Sequence, residues 1–243
     1  MIEAVTFDVT HTLIHSPRLG DIYAEILRRH GTEIDGEEAR RLISVVWQEM
    51  ACNAGLGHDR FAAHPEGERG WWLRFLERMC ELREVPPPSR FAAAELFHRF
   101  GTAAAWEIYP EVPEALARLA RSGVLLGVVS NWDHRLPGLL AELGLAPLLG
   151  TIIYSEKADV EKPDRRIFLQ ALGELGVEPA AALHVGDGRL EDVEGAVAAG
   201  MKALHLTRNT GGGDLRDLTR LPDLVATERA GRADRRWAAG VLD

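Results

Sequence analysis

Asp8 follows the apolar run Val5-Thr6-Phe7, where a buried strand would reach the edge of a sheet. Three more polar groups stand directly after apolar runs. Ser130-Asn131 follow Val128-Val129, Lys162-Pro163-Asp164 come shortly after residues 151–154, and Gly186-Asp187 follow His184-Val185, with Asp192 five residues later. The chain has only three lysines, Lys157, Lys162 and Lys202, against 25 arginines, so the position of Lys162 carries information. Brought together, these residues suit phosphoryl transfer to a carboxylate. Asp8 would attack phosphorus, and Lys162 would neutralise the carboxylate and the phosphoryl oxygens. Ser130 and the amide of Asn131 would donate hydrogen bonds to those oxygens, and Asp8 with Asp187 would hold Mg2+. Taken singly, each residue has a plainer reading: Asp8 as a turn residue, Ser130-Asn131 as the start of a capped helix, Asp187 and Asp192 as acids favouring a helix dipole.

Convergence requires elements that end at one place. Short apolar runs at residues 2–7, 124–129, 151–155, 182–185 and 203–206 predict five mostly parallel strands buried on both faces. Helical patterns at 113–121, 134–143, 164–175 and 190–199 lie between them, each stopped by a glycine. This alternation predicts an α/β fold, a doubly wound Rossmann-like parallel sheet with right-handed crossovers and ligands at the carboxyl ends of its strands. Residues 19–100 show no strand pattern. They show four amphipathic helix signals instead, among them Asp35 with Glu38 as a capping box, Ser89 as an N-cap, and the stripe Trp71, Trp72, Phe75 and Met79. An inserted all-α bundle over 16–104, a helical cap, is expected beside a core of 1–15 and 105–243.

The 243 residues carry a net charge of −9 and are 46% hydrophobic, which predicts a packed globular chain and disfavours a nucleic-acid partner. No apolar run approaches the ~20 residues of a membrane span, no export signal is evident, and Cys52 and Cys80 are too few for a disulfide framework. A cytoplasmic protein acting on a small phosphorylated metabolite, with no membrane partner, is expected. Gly211-Gly212-Gly213 reads as a surface loop, and nothing in the sequence assigns a role to the C-terminal segment after it.

The order and spacing of the four polar groups resemble the haloacid dehalogenase superfamily, in the subfamily with a helical cap inserted after the first motif. The segments Ser130-Asn131-Trp132-Asp133, Lys162-Pro163-Asp164 and His184-Val185-Gly186-Asp187 carry the likeness. It implies a sheet of order 5-4-1-2-3, Mg2+ as cofactor and phosphomonoester hydrolysis. By the same resemblance Asp8, Thr10 and Lys162 are the catalytic set. Thr12, Ser130, Asn131 and Lys162 bind substrate, while Asp8, the Thr10 carbonyl, Asp187 and Asp192 hold the metal. One departure stands out. Most phosphatases of the superfamily carry an aspartate where this chain has Thr10, and threonine cannot serve as a general acid or base near neutral pH. Cation-pumping ATPases of the superfamily also have threonine there and keep a long-lived aspartyl-phosphate. Slow turnover through a phosphorylated Asp8 is therefore expected. His11 has the right pKa class to replace the acid, with its side chain expected to point elsewhere. His58, Asp59, His64 and Glu68 of the cap are candidates for selecting the leaving group. A catalytically impaired phosphate- or metal-binding scaffold, and a 2-haloacid dehalogenase, are the alternatives.

Overall fold

The computed structural model describes residues 1–53, 66–208 and 212–231, so His58, Asp59, His64 and Gly211 lie outside the described residues. In chain order the elements are β1 (Ala4–Phe7), β2 (Ile14–His15), α1 (Leu19–Arg29), α2 (Gly36–Asn53), α3 (Gly67–Leu82), α4 (Arg90–Phe100) and β3 (Glu107–Ile108). They continue with α5 (Val112–Arg121), β4 (Leu125–Ser130), α6 (Leu136–Glu142), β5 (Thr151–Tyr154), α7 (Ser155–Ala158) and α8 (Arg165–Leu175). The last are β6 (Ala182–Gly186), α9 (Gly195–Ala198), β7 (Lys202–His205) and α10 (Leu221–Arg229). Two compact units result, Met1–His15 with Ile108–Asp243, and Ser16–Glu107.

The first unit is built on a five-stranded sheet of order β5-β4-β1-β6-β7, every neighbouring pair parallel. Numbered within the sheet, this is the expected 5-4-1-2-3 order. Phe7 pairs with both Val128 and Val185, so Asp8, Ser130 and Asp187 leave their strands at the same edge. The strands are almost wholly apolar because their side chains are buried on both faces: Val5, Phe7, Val128, Val129, Leu183 and Val185 have no exposure. Phe168, Ile167 and Ala171 of α8 pack on one face with Val129 and Ile153.

The expected helix over 190–199 is interrupted. Residues Arg189–Glu194 form a π-helical turn before the four-residue α9, with the amides of Asp192 and Val193 both donating to the Gly188 carbonyl. The wider turn rotates Asp192 inward, where it is 2% exposed, and such insertions often mark functional sites.

The second unit is a four-helix bundle, α1 to α4, with a core that includes Ile22, Ile26, Leu42, Val46, Trp71, Phe75 and Met79. Local capping follows the sequence in part. Asp35 accepts from the Glu38 amide and Ser89 from the Ala92 amide, but the Glu38 carboxylate pairs with Arg83 at 2.8 Å and does not close the capping box. Between α1 and α2 the backbones nearly touch, and a Cβ on Gly20 would lie 2.0 Å from the Gly36 carbonyl oxygen. We expect Gly20→Ala to destabilise the protein by about 1–3 kcal/mol, measurable by denaturant unfolding; an unchanged midpoint would show that the helices part without cost.

Candidate active site

The sheet edge gathers six of the residues singled out in the sequence. Asp8, 7% exposed, accepts two hydrogen bonds on a single oxygen, Oδ1: from Ser130 Oγ at 2.9 Å and from Lys162 Nζ at 2.6 Å. Its Oδ2 accepts none from a described residue. Lys162 is fully enclosed and also donates to Asp192 Oδ1 at 2.5 Å. Burial alone would lower its pKa, but the carboxylates of Asp192 and Asp8 outweigh that and raise it, so the ammonium is permanent. Burial likewise pushes Asp192 up, yet Lys162 and His184 hold it well below the ordinary carboxylate range.

Asn131 reaches the site by a route the sequence did not reveal. Its side chain clamps the backbone of Lys162, with Nδ2 donating to the Lys162 carbonyl at 3.1 Å and Oδ1 accepting from the Lys162 amide at 2.7 Å. Room for the Lys162 loop and for Asp192 comes from two glycines. A Cβ on Gly195 would lie 2.9 Å from Pro163 Cα, and one on Gly186 would lie 2.2 Å from the Asp192 carboxyl carbon. Thr12 has no exposure, and its hydroxyl has no hydrogen-bond partner among the described residues. The Thr10 side chain is half-buried beside Asp8 in sequence. Burial holds the His11 imidazole below its usual pKa against the pull of Asp8, with His15 and Arg208 lowering it further; a neutral imidazole is poorly suited to the missing acid role.

Asp8, Asp187 and Asp192 each bring a carboxylate oxygen within 4.8 Å of the others. A hard, oxygen-seeking divalent cation fits this donor set. The carboxylates of Asp8 and Asp187 are the groups that could reach it, whereas Asp192 spends Oδ1 on Lys162 and His184 and Oδ2 on the Gly188 amide. Crowding is evident at Asp187, whose carboxyl is pushed up to about 8 by burial first, then by the charges of Asp8 and Asp192. A carboxyl raised on folding binds its proton more tightly in the native state, so the stability this group contributes is complete below its unfolded pKa near 4 and is lost as pH rises through about 8. In metal-free protein we expect the thermal midpoint to drop from pH 6 to 8.5, and Asp187→Asn to reduce that drop. A profile that Asp187→Asn leaves unaltered would rule out the crowding.

His184 was visible in the sequence only as a polar residue within a strand. It is fully buried in β6, with Nε2 3.1 Å from Asp192 Oδ1 and Nδ1 2.9 Å from Thr6 Oγ1. Since an ionised carboxylate only accepts, Nε2 carries the proton and the Thr6 hydroxyl donates to Nδ1. Burial keeps this imidazole neutral, lowering its pKa against the opposing pull of Asp192. One hydrogen-bonded chain therefore runs Thr6, His184, Asp192, Lys162, Asp8, Ser130.

A doubly wound sheet that collects carboxylates, a buried lysine and a serine at its carboxyl edge is the scaffold of a ligand-processing α/β enzyme. Comparison with known proteins makes that enzyme a hydrolase. The haloacid dehalogenase-like hydrolase family matches residues 2–200, and the chain belongs to it. The human haloacid dehalogenase-like hydrolase domain-containing protein 3 is 34% identical over 206 residues, 82% of this chain and 80% of its own. A glyceraldehyde 3-phosphate phosphatase of Methanopyrus kandleri is 30% identical over 220 residues, 86% and 85% of the two chains. Among solved structures, a 2-haloacid dehalogenase from Pseudomonas syringae superposes with a TM-score of 0.63 at 26% identity, covering 94% of this chain and all of that one. Hydrolases of the family generally use Mg2+.

Proposed function

We propose that this hydrolase is a Mg2+-dependent phosphatase that cleaves a small phosphomonoester through a phosphorylated Asp8. The observation that carries the reading is the one-sided hold on Asp8. Both donors grip Oδ1, which leaves Oδ2 as the oxygen able to form a bond to phosphorus. In the first step Asp8 attacks, the phosphorus–oxygen ester bond breaks, and the departing alkoxide takes a proton from water. In the second, water attacks the acyl phosphate, releasing inorganic phosphate and restoring the carboxylate. Lys162 neutralises Asp8 and the incoming phosphoryl oxygens, and the Ser130 hydroxyl turns from Asp8 towards the same oxygens. Asp8, Asp187 and the Thr10 carbonyl would hold Mg2+, which would supply further positive charge to the phosphoryl oxygens. Asp192, with its oxygens committed, fixes Lys162 within this arrangement.

The phosphatase relative supports this reading, and so does the electrostatics. Three carboxylates with a single lysine repel any anionic substrate unless a cation intervenes, which favours a metal-dependent reaction over a metal-free one. An aryl phosphate tests the proposal, because its leaving group needs little help from an acid. We expect phosphate release that stops on chelation and returns with Mg2+. Dehalogenation that continues with chelator present would replace this reading with the other.

A further inference from the structure

Arg208 lies in the loop after β7, 200 residues from Asp8, and takes no part in the phosphoryl-transfer steps. Its side chain is only 10% exposed and every group on the guanidinium is engaged. Nε donates to the His11 carbonyl at 3.1 Å and Nη2 to the Thr12 carbonyl at 2.6 Å, while Nη1 pairs with Glu111 at 2.7 Å. The plane rests on the Tyr109 ring, 3.4 Å from its centroid, and Tyr109 stacks in turn on His15 at 4.3 Å. Each of its three nitrogens is thus committed to a group of the protein itself.

The loop it grips is the one that comes directly after the nucleophile. Residues 9–14 fold into a tight turn whose amides point inward: those of Thr12, Leu13 and Ile14 all donate to the Val9 carbonyl. His11 adopts φ +61°, a left-handed conformation that costs a non-glycine residue about 1 kcal/mol or more. A turn built this way leaves the His11 and Thr12 carbonyls facing outward, and the guanidinium fork is the group that meets them. The same fork, held by Tyr109 and Glu111, has little freedom of its own.

We infer that Arg208 is a positioning residue, which fixes the left-handed turn after Asp8 by holding the carbonyls of His11 and Thr12 from a seat on Tyr109 and Glu111. The activity consequences rest on the phosphatase reading; the effect on the loop does not. Misplacing a reacting group by about 1 Å costs on the order of 100-fold in rate.

The test compares wild-type protein, Arg208→Ala and Arg208→Lys. Amide hydrogen exchange should become at least about tenfold faster in peptides covering residues 8–15 of the alanine variant, and stay unchanged in the other sheet strands. On aryl phosphate, kcat should fall by about 100-fold with KM within about threefold, since no substrate contact is removed. Millimolar guanidinium ion should restore part of both the exchange protection and kcat, and urea should restore neither. Lysine keeps the charge but cannot serve both carbonyls and Glu111, so Arg208→Lys should behave as the alanine variant does; it also replaces that variant if alanine does not fold. Unchanged exchange at 8–15, loosening spread across the sheet, or failure of guanidinium to restore protection would each overturn the inference. If the wild-type protein hydrolyses no phosphomonoester, the phosphatase reading falls, and the exchange and rescue data alone decide the role of Arg208.

Discussion

Asp8→Asn is expected to reduce phosphate release by about 10⁴- to 10⁶-fold, the scale on which losing a nucleophile is felt. The replacement nearly preserves shape, so the loss would be chemical. An amide oxygen accepts from Lys162 and Ser130 as the carboxylate does, yet it does not displace an alkoxide from phosphorus. Removing the charge has a second consequence, because Lys162 is enclosed and balanced by two carboxylates at 2.6 and 2.5 Å. With Asp192 still in place the ammonium keeps one partner, so stability should change less than the 3–5 kcal/mol typical of stranding a buried ion. The measurement is steady-state release from an aryl phosphate together with intact mass after substrate addition. Wild-type protein should gain one phosphoryl group and the variant none. Release by Asp8→Asn at the wild-type rate would remove Asp8 from the chemistry.

Thr10→Asp is expected to raise turnover by about 10²- to 10⁴-fold, the contribution of a well-placed general acid and base. The gain should depend on the leaving group. An alkyl phosphate needs a proton delivered to the departing oxygen and should gain most. An aryl phosphate does not, so its gain should come from faster hydrolysis of the phosphorylated Asp8, and the mass adduct seen with wild-type protein should disappear. The added carboxylate also brings a further negative charge to a site where Asp187 is already pushed up to about 8, so the variant should need more Mg2+ to reach full rate. If Thr10→Asp is as slow as wild type on both substrates, the missing acid does not limit this enzyme, and the binding-scaffold alternative gains.

Much of this was legible in the residues because it is local. Short runs buried on both faces read as strands wherever they occur, and the five expected strands match those observed to within about two residues. Caps read as well for the same reason: Asp35 and Ser89 bond amides three residues away. Lys162 could be picked out by scarcity, and polar residues directly after apolar runs mark the carboxyl edge of a parallel sheet whatever the rest of the chain does. The residues by themselves thus determined the sheet, the helical insertion and the types of group at the site. Partnership, however, is a matter of distance in space. Nothing near Asn131 in sequence says that its side chain will clamp the Lys162 backbone 31 residues on, nor that both Asp192 oxygens will be taken. The π-helical turn that brings Asp192 inward keeps to the helical spacing closely enough to pass for α-helix. Arg208, in a loop without apolar periodicity, reaches the nucleophile turn only because the last strand of the sheet ends at the same edge as the first. Parallel strands deliver distant segments to a common edge, and which side chains then meet is decided by packing, which leaves no trace in local spacing.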